Sequence, residues 1–140
     1  MTTEPLSPQV RALFAELAHA GEPLPMSAGQ RLLRGEAGRE QLGTRVRFLL
    51  RLTDERVVEA RYGTYGCPHT LATCEWLART LEERGVGVHS PQELWASIGG
   101  PLDWAQRLQI PPGKLGRLLV IEDALRAALG AVADDSVTNQ

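Results

Sequence analysis

The chain has 140 residues and a net charge of −2 at pH 7, with 15 lysines and arginines against 17 aspartates and glutamates. This length predicts one domain, over residues 1–133, followed by a flexible tail over residues 134–140. The slight acidic excess argues against nucleic acid and membrane surfaces as partners, because these attract basic proteins. No segment has the ~20 apolar residues of a membrane span and the N-terminus lacks a signal-peptide pattern, so we expect a cytoplasmic protein.

The first 40 residues predict one helix and one short strand. Ser7 and Pro8 are typical of a helix start, and apolar residues follow at helical spacing until Gly21. A strand is predicted over residues 30–34. The glycines that follow predict a loop over residues 35–38.

The rest of the chain predicts a hairpin and then a series of helices. Residues 45–52 and 57–65 are rich in apolar and β-branched residues around a polar turn, which predicts two antiparallel strands. Helices are predicted from Cys67 to Gly85, from a capping box at Ser90 to residues 99–100, over residues 102–108 and over residues 113–132. The predicted fold class is α+β, with a small antiparallel three-stranded sheet packed on one face by helices.

Cys67 lies at the junction between the last predicted strand and the longest helix. If Pro68 takes the first helical position, Cys67 is the N-cap and its sulfur lies at the positive end of the helix dipole, which favours thiolate. The alternative is a cysteine that only packs, which we expect for Cys74 because it falls in the apolar stripe of the helix. The two are ~10 Å apart along a helix and are not expected to form a disulfide.

Other residues are weaker candidates for a site. His69 could join Cys67 as a second metal ligand, but residues two apart on a helix do not face each other, so we expect a solvent-facing histidine. One cysteine and one histidine also fall short of the ~four ligands of a zinc or cluster site. Trp76, Trp95 and Trp104 are expected to pack or to contact a partner. No catalytic motif is present, and we expect no enzyme activity.

Residues 60–67, Ala-Arg-Tyr-Gly-Thr-Tyr-Gly-Cys, together with Ile-Pro-Pro-Gly-Lys-Leu over residues 110–115 and Glu-Asp-Ala-Leu-Arg-Ala-Ala over residues 122–128, resemble the IscU/NifU amino-terminal family of iron–sulfur cluster assembly scaffolds. The resemblance covers residues 31–131. It implies a 2Fe–2S cluster as the product and a cysteine desulfurase and an Hsp70-type chaperone as partners. It also implies that the chaperone binds a loop made of Ile110, Pro111, Pro112, Gly113 and Lys114.

The same resemblance implies three ligand cysteines helped by a histidine and an aspartate, and this chain keeps only Cys67. Its alignment puts Leu42 at the first cysteine, Thr44 at the aspartate, Gly116 at the histidine and Arg117 at the third cysteine. Cys67 is therefore the implied residue for binding iron, cluster or sulfur. Arg117 is then expected beside it, where a guanidinium would lower the pKa of the thiol or hold an anion; the alternative is a surface arginine.

The leading hypothesis is a divergent cluster assembly scaffold-like protein that takes sulfur, iron or cluster through Cys67. Cys67 could carry a persulfide, or a homodimer could hold a cluster between two such thiolates; zinc, or no metal, is also compatible with the residues. The alternative is a protein-interaction or regulatory module that keeps the scaffold fold and binds no cluster. A third hypothesis, a thiolate catalyst built on Cys67 and Arg117, lacks an obvious general base.

Overall fold

The computed structural model describes residues 5–87 and 90–130. In chain order the elements are α1 (Pro8–Phe14), β1 (Gln30–Arg39), β2 (Thr44–Thr53), β3 (Arg56–Tyr65), α2 (Pro68–Gly85), α3 (Pro91–Ser97), α4 (Pro101–Leu108) and α5 (Leu115–Leu125). A π-helical turn, Arg126–Gly130, continues α5. The predicted α+β class is confirmed. The predicted tail over residues 134–140 lies outside the described residues. Among those that are described, no helix is long and apolar enough to cross a membrane.

The three strands form one antiparallel sheet in the order β1-β2-β3. Alternation along β2 directs one set of apolar side chains to the same face, because successive side chains of a strand point to opposite faces. These buried residues are Val46, Phe48, Leu50 and Leu52. The helices cover this face and supply the rest of the core.

The helices α2 and α5 bury their apolar stripes in this core. Cys74, Leu77 and Leu81 of α2 are fully buried, so Cys74 lies in the core as predicted. Leu118 and Ile121 of α5 are also fully buried. A 3-10 turn, Pro112–Lys114, precedes α5, so the regular helix begins two residues later than predicted.

The predicted loop over residues 35–38 is wrong, since β1 continues through it to Arg39. Gly35 pairs with Phe48 of β2 and faces the end of α5. A Cβ atom at Gly35 would lie 2.1 Å from the carbonyl oxygen of Ala124 and 2.3 Å from the backbone nitrogen of Ala128. Glycine is therefore needed at this position because the strand and the helix approach closely. The sequence pattern does not distinguish such a packing glycine from a glycine in a loop.

The predicted extent of the first helix is also wrong, because α1 ends at Phe14. The chain beyond it pairs instead with the free edge of β3. The Gly21 N–H donates to the Tyr62 carbonyl at 2.9 Å, and the Tyr62 N–H donates to the His19 carbonyl at 3.2 Å. An exposed strand edge offers hydrogen-bonding groups that compete with continuation of the helix.

Candidate functional site

Cys67 is the N-cap of α2, and Pro68 occupies the first helical position, as the sequence predicts. Its backbone is extended, with φ −85° and ψ 171°, and its carbonyl accepts the first helical hydrogen bond from the Leu71 N–H at 3.1 Å. The side chain is half-buried, and its Sγ lies 3.5 Å from the Oγ1 of Thr70. The thiol is therefore accessible and is held at the start of a long helix.

Several groups act on the protonation of this thiol. Burial raises the pKa of Cys67 and is the largest single effect. Hydrogen bonds from the Thr70 hydroxyl and from the backbone N–H groups of Thr70 and His69 lower it, and so does the positive charge of Arg117. Together they hold the pKa of Cys67 below its ordinary value, because each of them stabilises the thiolate.

Arg117 is on the first turn of α5, and its side chain is half-buried. Its Nε atom is fully buried and has no hydrogen-bond acceptor within residues 5–87 and 90–130. The fold thus brings Arg117 within electrostatic reach of Cys67, although fifty positions separate them in the sequence. This is the pairing that the resemblance implies.

The positions aligned with the missing ligands surround one cavity of about 230 Å³. Leu42, Thr44, Gly116 and Arg117 all contribute to its lining. Leu42 is 80% exposed in the connection between β1 and β2, whereas Thr44 is buried. Cys67 is not among the lining residues. The residues that line the cavity include no thiolate and no carboxylate, which are the groups that would ligate iron.

His69 is buried, with 3% of its surface exposed, so the prediction of a solvent-facing histidine is wrong. The first turn of α2 packs inside the protein, and Thr70 is buried beside it. The Thr73 hydroxyl donates to the His69 carbonyl at 2.7 Å. His69 acts on Cys67 through its backbone N–H, which does not depend on the identity of the side chain.

The described part of the chain contains no group of three or more His, Cys, Asp or Glu residues that could hold a metal ion. An iron–sulfur cluster takes about four protein ligands, usually thiolates. Cys67 supplies one. These residues therefore do not fit a cluster held by one chain alone, and a bound cluster would need ligands from a second molecule.

The segment expected to bind a chaperone is only partly exposed. Ile110 is buried, and its N–H donates to the Ala105 carbonyl at 2.9 Å. The Lys114 N–H donates to the Pro111 carbonyl at 2.9 Å and closes the 3-10 turn. Pro112 and Gly113 are exposed at the crest of this turn. Ile110 anchors the loop, and the residues after it are the ones that a partner can reach.

The three tryptophans pack within this chain. Trp104 is fully buried, and its Nε1–H donates to the Ile98 carbonyl at 2.9 Å. The guanidinium of Arg107 lies 5.7 Å from the ring centre of Trp76, and that of Arg126 lies 5.9 Å from the ring centre of Trp95. These contacts agree with the predicted packing role.

Sequence reasoning overlooked Thr70. Its hydroxyl is the strongest group that lowers the pKa of Cys67, ahead of the backbone amides and Arg117. The sequence does contain a pattern that predicts this contact, because a residue three positions after an N-cap lies on the same first turn and can hydrogen-bond back to the N-cap. The pattern Cys-x-x-Thr at a helix start therefore identifies this contact.

The proteins that this chain resembles include NifU-like and IscU proteins. The profile of the NifU-like N terminal domain matches residues 9–131. The chain is 38% identical over 98 residues to the bifunctional protein NifU/MnmA of Rubrobacter xylanophilus, a match that spans 67% of this chain and 18% of that protein. It is 27% identical over 96 residues to the iron–sulfur cluster assembly scaffold protein IscU of Escherichia coli K12, spanning 68% of this chain and 70% of IscU.

The fold is also similar to a solved structure. FiSufU from the thermophile Fervidobacterium islandicum AW-1 superposes with a TM-score of 0.58 at 14% identity, over 88% of this chain and 95% of that one. At this identity the likeness concerns the fold alone. The match over residues 9–131 spans most of the chain and includes the whole described sheet and Cys67. The chain therefore belongs to the NifU-like N terminal domain family.

Proposed function

We propose that this chain acts in iron–sulfur cluster assembly as a scaffold-like protein, with Cys67 as the residue that receives sulfur. Membership of the family and the name of the relative IscU support the process. The observation that carries the role of Cys67 is its thiol, half-buried at the start of α2 and stabilised as a thiolate by Thr70 and Arg117. A thiolate is the form that attacks a persulfide.

The transfer requires no oxidant or reductant. The Cys67 thiolate attacks the terminal sulfur of a persulfide on a cysteine desulfurase, and a new S–S bond forms at the Cys67 Sγ. The S–S bond of the donor breaks, and its electron pair leaves with the donor cysteine as a thiolate. Sulfane sulfur moves from one cysteine to another without a net change in oxidation state. In this function Cys67 is an acceptor and carrier, not a catalyst.

Assembly of a cluster needs further ligands, because the described residues offer Cys67 alone at this site. A homodimer with one thiolate from each subunit, or a complex with the desulfurase, would supply them. Iron and sulfide are cargo in this scheme and are bound only while such a complex lasts. Bound iron should therefore rise with the dimer fraction in anaerobic size-exclusion chromatography, and a strictly monomeric product that holds iron and sulfide would contradict the intersubunit site.

The sulfur transfer is tested with reduced protein, a purified cysteine desulfurase and cysteine. Intact-mass spectrometry should detect one added sulfur atom on the wild type and on Cys74→Ala, but none on Cys67→Ser. Cys74 is the matched control because it is the other cysteine and is fully buried. Sulfur on Cys67→Ser, or on none of the three proteins, would overturn the proposal.

We also propose that an Hsp70-type chaperone binds the exposed crest of the turn before α5, at Pro112 and Gly113. Lys114 follows this crest, and its charge is available to a partner. Binding to the purified chaperone should weaken in Lys114→Ala and remain in Arg11→Ala, a change to an exposed residue of α1. Equal binding by both variants would exclude this surface.

A second function, a protein-interaction or regulatory module that binds no cluster, is favoured by Leu42. This apolar side chain is 80% exposed in a position aligned with a ligand. If the chain is such a module, the wild type and Cys67→Ser should change the turnover of a cysteine desulfurase to the same extent. Leu42→Asp should have no such effect. A sulfur carrier, by contrast, depends on Cys67.

A further inference from the structure

The cavity between the connection of β1 to β2 and the start of α5 has an unusual charge. We call it the arginine cavity; its lining residues are Gly38, Arg39, Leu42, Thr44, Gly116, Arg117 and Val120, and its volume is about 230 Å³. Two of these residues carry positive charge and none carries negative charge. A small site with two like charges and no counter-charge attracts an anion.

Neither arginine of this cavity forms an ion pair within the described ranges, 5–87 and 90–130. The Nε of Arg117 is moreover fully buried without an acceptor. The half-buried guanidinium of Arg117 thus keeps an uncompensated charge in a partly dry environment, where an anion bound in the cavity would stabilise it. Arg39 and Arg117 thus have donors available for a ligand.

A larger cavity elsewhere in the protein is a weaker candidate for an anion site, so volume alone does not identify the site. It has a volume of about 360 Å³, and Arg45 and Arg47 are among its lining residues. Arg45, however, forms an ion pair with Glu36, and the Nη2 of Arg47 lies 2.8 Å from an oxygen of Glu22. Their charges are compensated by this chain's own carboxylates, whereas those in the arginine cavity are not.

The remaining lining indicates the kind of anion. Gly116 is in the first turn of α5, at the positive end of the helix dipole, which favours negative charge. The hydroxyl of Thr44 adds a polar group. Leu42 and Val120 form an apolar side. Polar donors on one side and apolar side chains on the other suit a carboxylate attached to a small apolar group, and arginine binds carboxylates in a bidentate geometry.

We propose that the arginine cavity binds a small carboxylate, with Arg39 and Arg117 at the carboxylate oxygens and Leu42 and Val120 against the apolar part. This site goes beyond sulfur transfer, because it needs neither a metal nor the thiol. The carboxylate can come from a free acid or from a glutamate side chain of a partner protein. Both present the same group to the two arginines.

The test uses calorimetric titration of the full chain with isobutyrate, which represents a free acid, and with N-acetylglutamate α-amide, which represents a glutamate side chain. Neutral isobutyramide is the matched control. We expect saturable binding of a charged probe with a dissociation constant on the order of millimolar, given its few atoms, and no binding of the amide. The probe that binds more tightly identifies the source.

The variants locate the site. Arg117→Gln and Arg39→Gln should each weaken binding by about tenfold or more, because each removes a charged hydrogen bond. Arg47→Gln, in the larger cavity, should bind as the wild type does. Arg39 is exposed, so its variant should fold even if Arg117→Gln perturbs α5. In amide NMR spectra, the largest shifts on titration should be at Thr44 and Gly116.

Three results would overturn the proposal. The first is an absence of saturable binding of both charged probes to the wild type. The second is unchanged binding by both Arg39→Gln and Arg117→Gln. The third is a set of amide shifts centred away from Thr44 and Gly116. None of these depends on Cys67, so a failure here is distinct from a failure of sulfur transfer.

Discussion

The hydroxyl of Thr70 lies 3.5 Å from the Sγ of Cys67, one helical turn away at the start of α2. This contact joins a candidate sulfur acceptor to a hydroxyl that can donate a hydrogen bond to the thiolate. Burial alone would raise the pKa of this thiol. The hydrogen bond from Thr70 helps to explain why the pKa of Cys67 is instead lower than that of an ordinary cysteine.

Thr70→Val should raise the pKa of Cys67, because it removes the strongest of the hydrogen bonds that stabilise the thiolate. The rate of alkylation of Cys67 at neutral pH should fall, and its pH profile should move to higher pH. The measurement is the alkylation rate of Cys74→Ala protein as a function of pH. Thr80→Val is the matched control, since its hydroxyl donates to the Trp76 carbonyl on the same helix, away from Cys67. An unmoved profile in Thr70→Val would contradict this role.

Arg117→Gln should also raise the pKa of Cys67, but by less than Thr70→Val, because its charge is the weakest of the effects that lower it. Salt screens the interaction, so added salt should raise the pKa in the wild type and change it little in the variant. Thiol titrations at low and high ionic strength measure both effects. Arg34→Gln, at an exposed position of β1, serves as the control. A larger shift from Arg117→Gln than from Thr70→Val would reverse this order.

Glu75→Gln should destabilise the fold, because the buried Glu75 carboxylate accepts hydrogen bonds from the His19 N–H at 2.9 Å, the Tyr62 hydroxyl at 3.0 Å and the Arg79 Nε–H at 2.8 Å. An oxygen of Glu75 also lies 2.6 Å from the Nδ1 of His19. Removing one member of a buried charged network costs about 3 kcal/mol. The measurement is urea unfolding, with the exposed Glu83→Gln as the control on the same helix.

The pH dependence of Glu75 follows from the same contacts. Burial raises the pKa of Glu75, but the hydrogen bonds from His19, Arg79 and Tyr62 outweigh burial and lower it. A carboxylate with a lowered folded-state pKa contributes stability above its unfolded pKa and loses it as pH falls through the folded value. The wild type should therefore lose more of its free energy of unfolding than Glu75→Gln when the pH falls from about 7 to about 3. Equal losses in the two proteins would exclude this contribution.

Gly35→Ala should destabilise the protein by about 1–3 kcal/mol, because the new methyl group meets the backbone of the last helix and neither element can yield without loss of packing. Gly116→Ala is the matched control: no atom lies within 4 Å of its added Cβ, and alanine favours a helix over glycine by about 0.5–1 kcal/mol. Thermal and urea unfolding should therefore move in opposite directions for the two variants. Tolerance of Gly35→Ala would mean that β1 and the last helix are less closely packed.

The candidate site was predictable where local chemistry determines it. Pro68 after Cys67 marks the helix start and places the thiol at the N-cap, and both features are present. The burial of Cys74 followed from its place in the apolar stripe. His69 and Thr70 were less predictable, because burial of the first turn of α2 depends on which elements pack over it and not on the turn itself.

The α+β class, the hairpin of β2 and β3, the start of α2 at Cys67 and the family could all be read from the sequence, since they depend on periodicity, caps and short motifs that act over a few residues. The packing of Gly35 within β1 and the pairing of His19 with the edge of β3, by contrast, are visible only in the folded chain. Folding also brings Arg117 within electrostatic reach of Cys67 and places it in one cavity with Arg39. These relationships join residues far apart in the chain, and their energies come from close packing and from charges in a partly dry environment, which a local pattern does not encode.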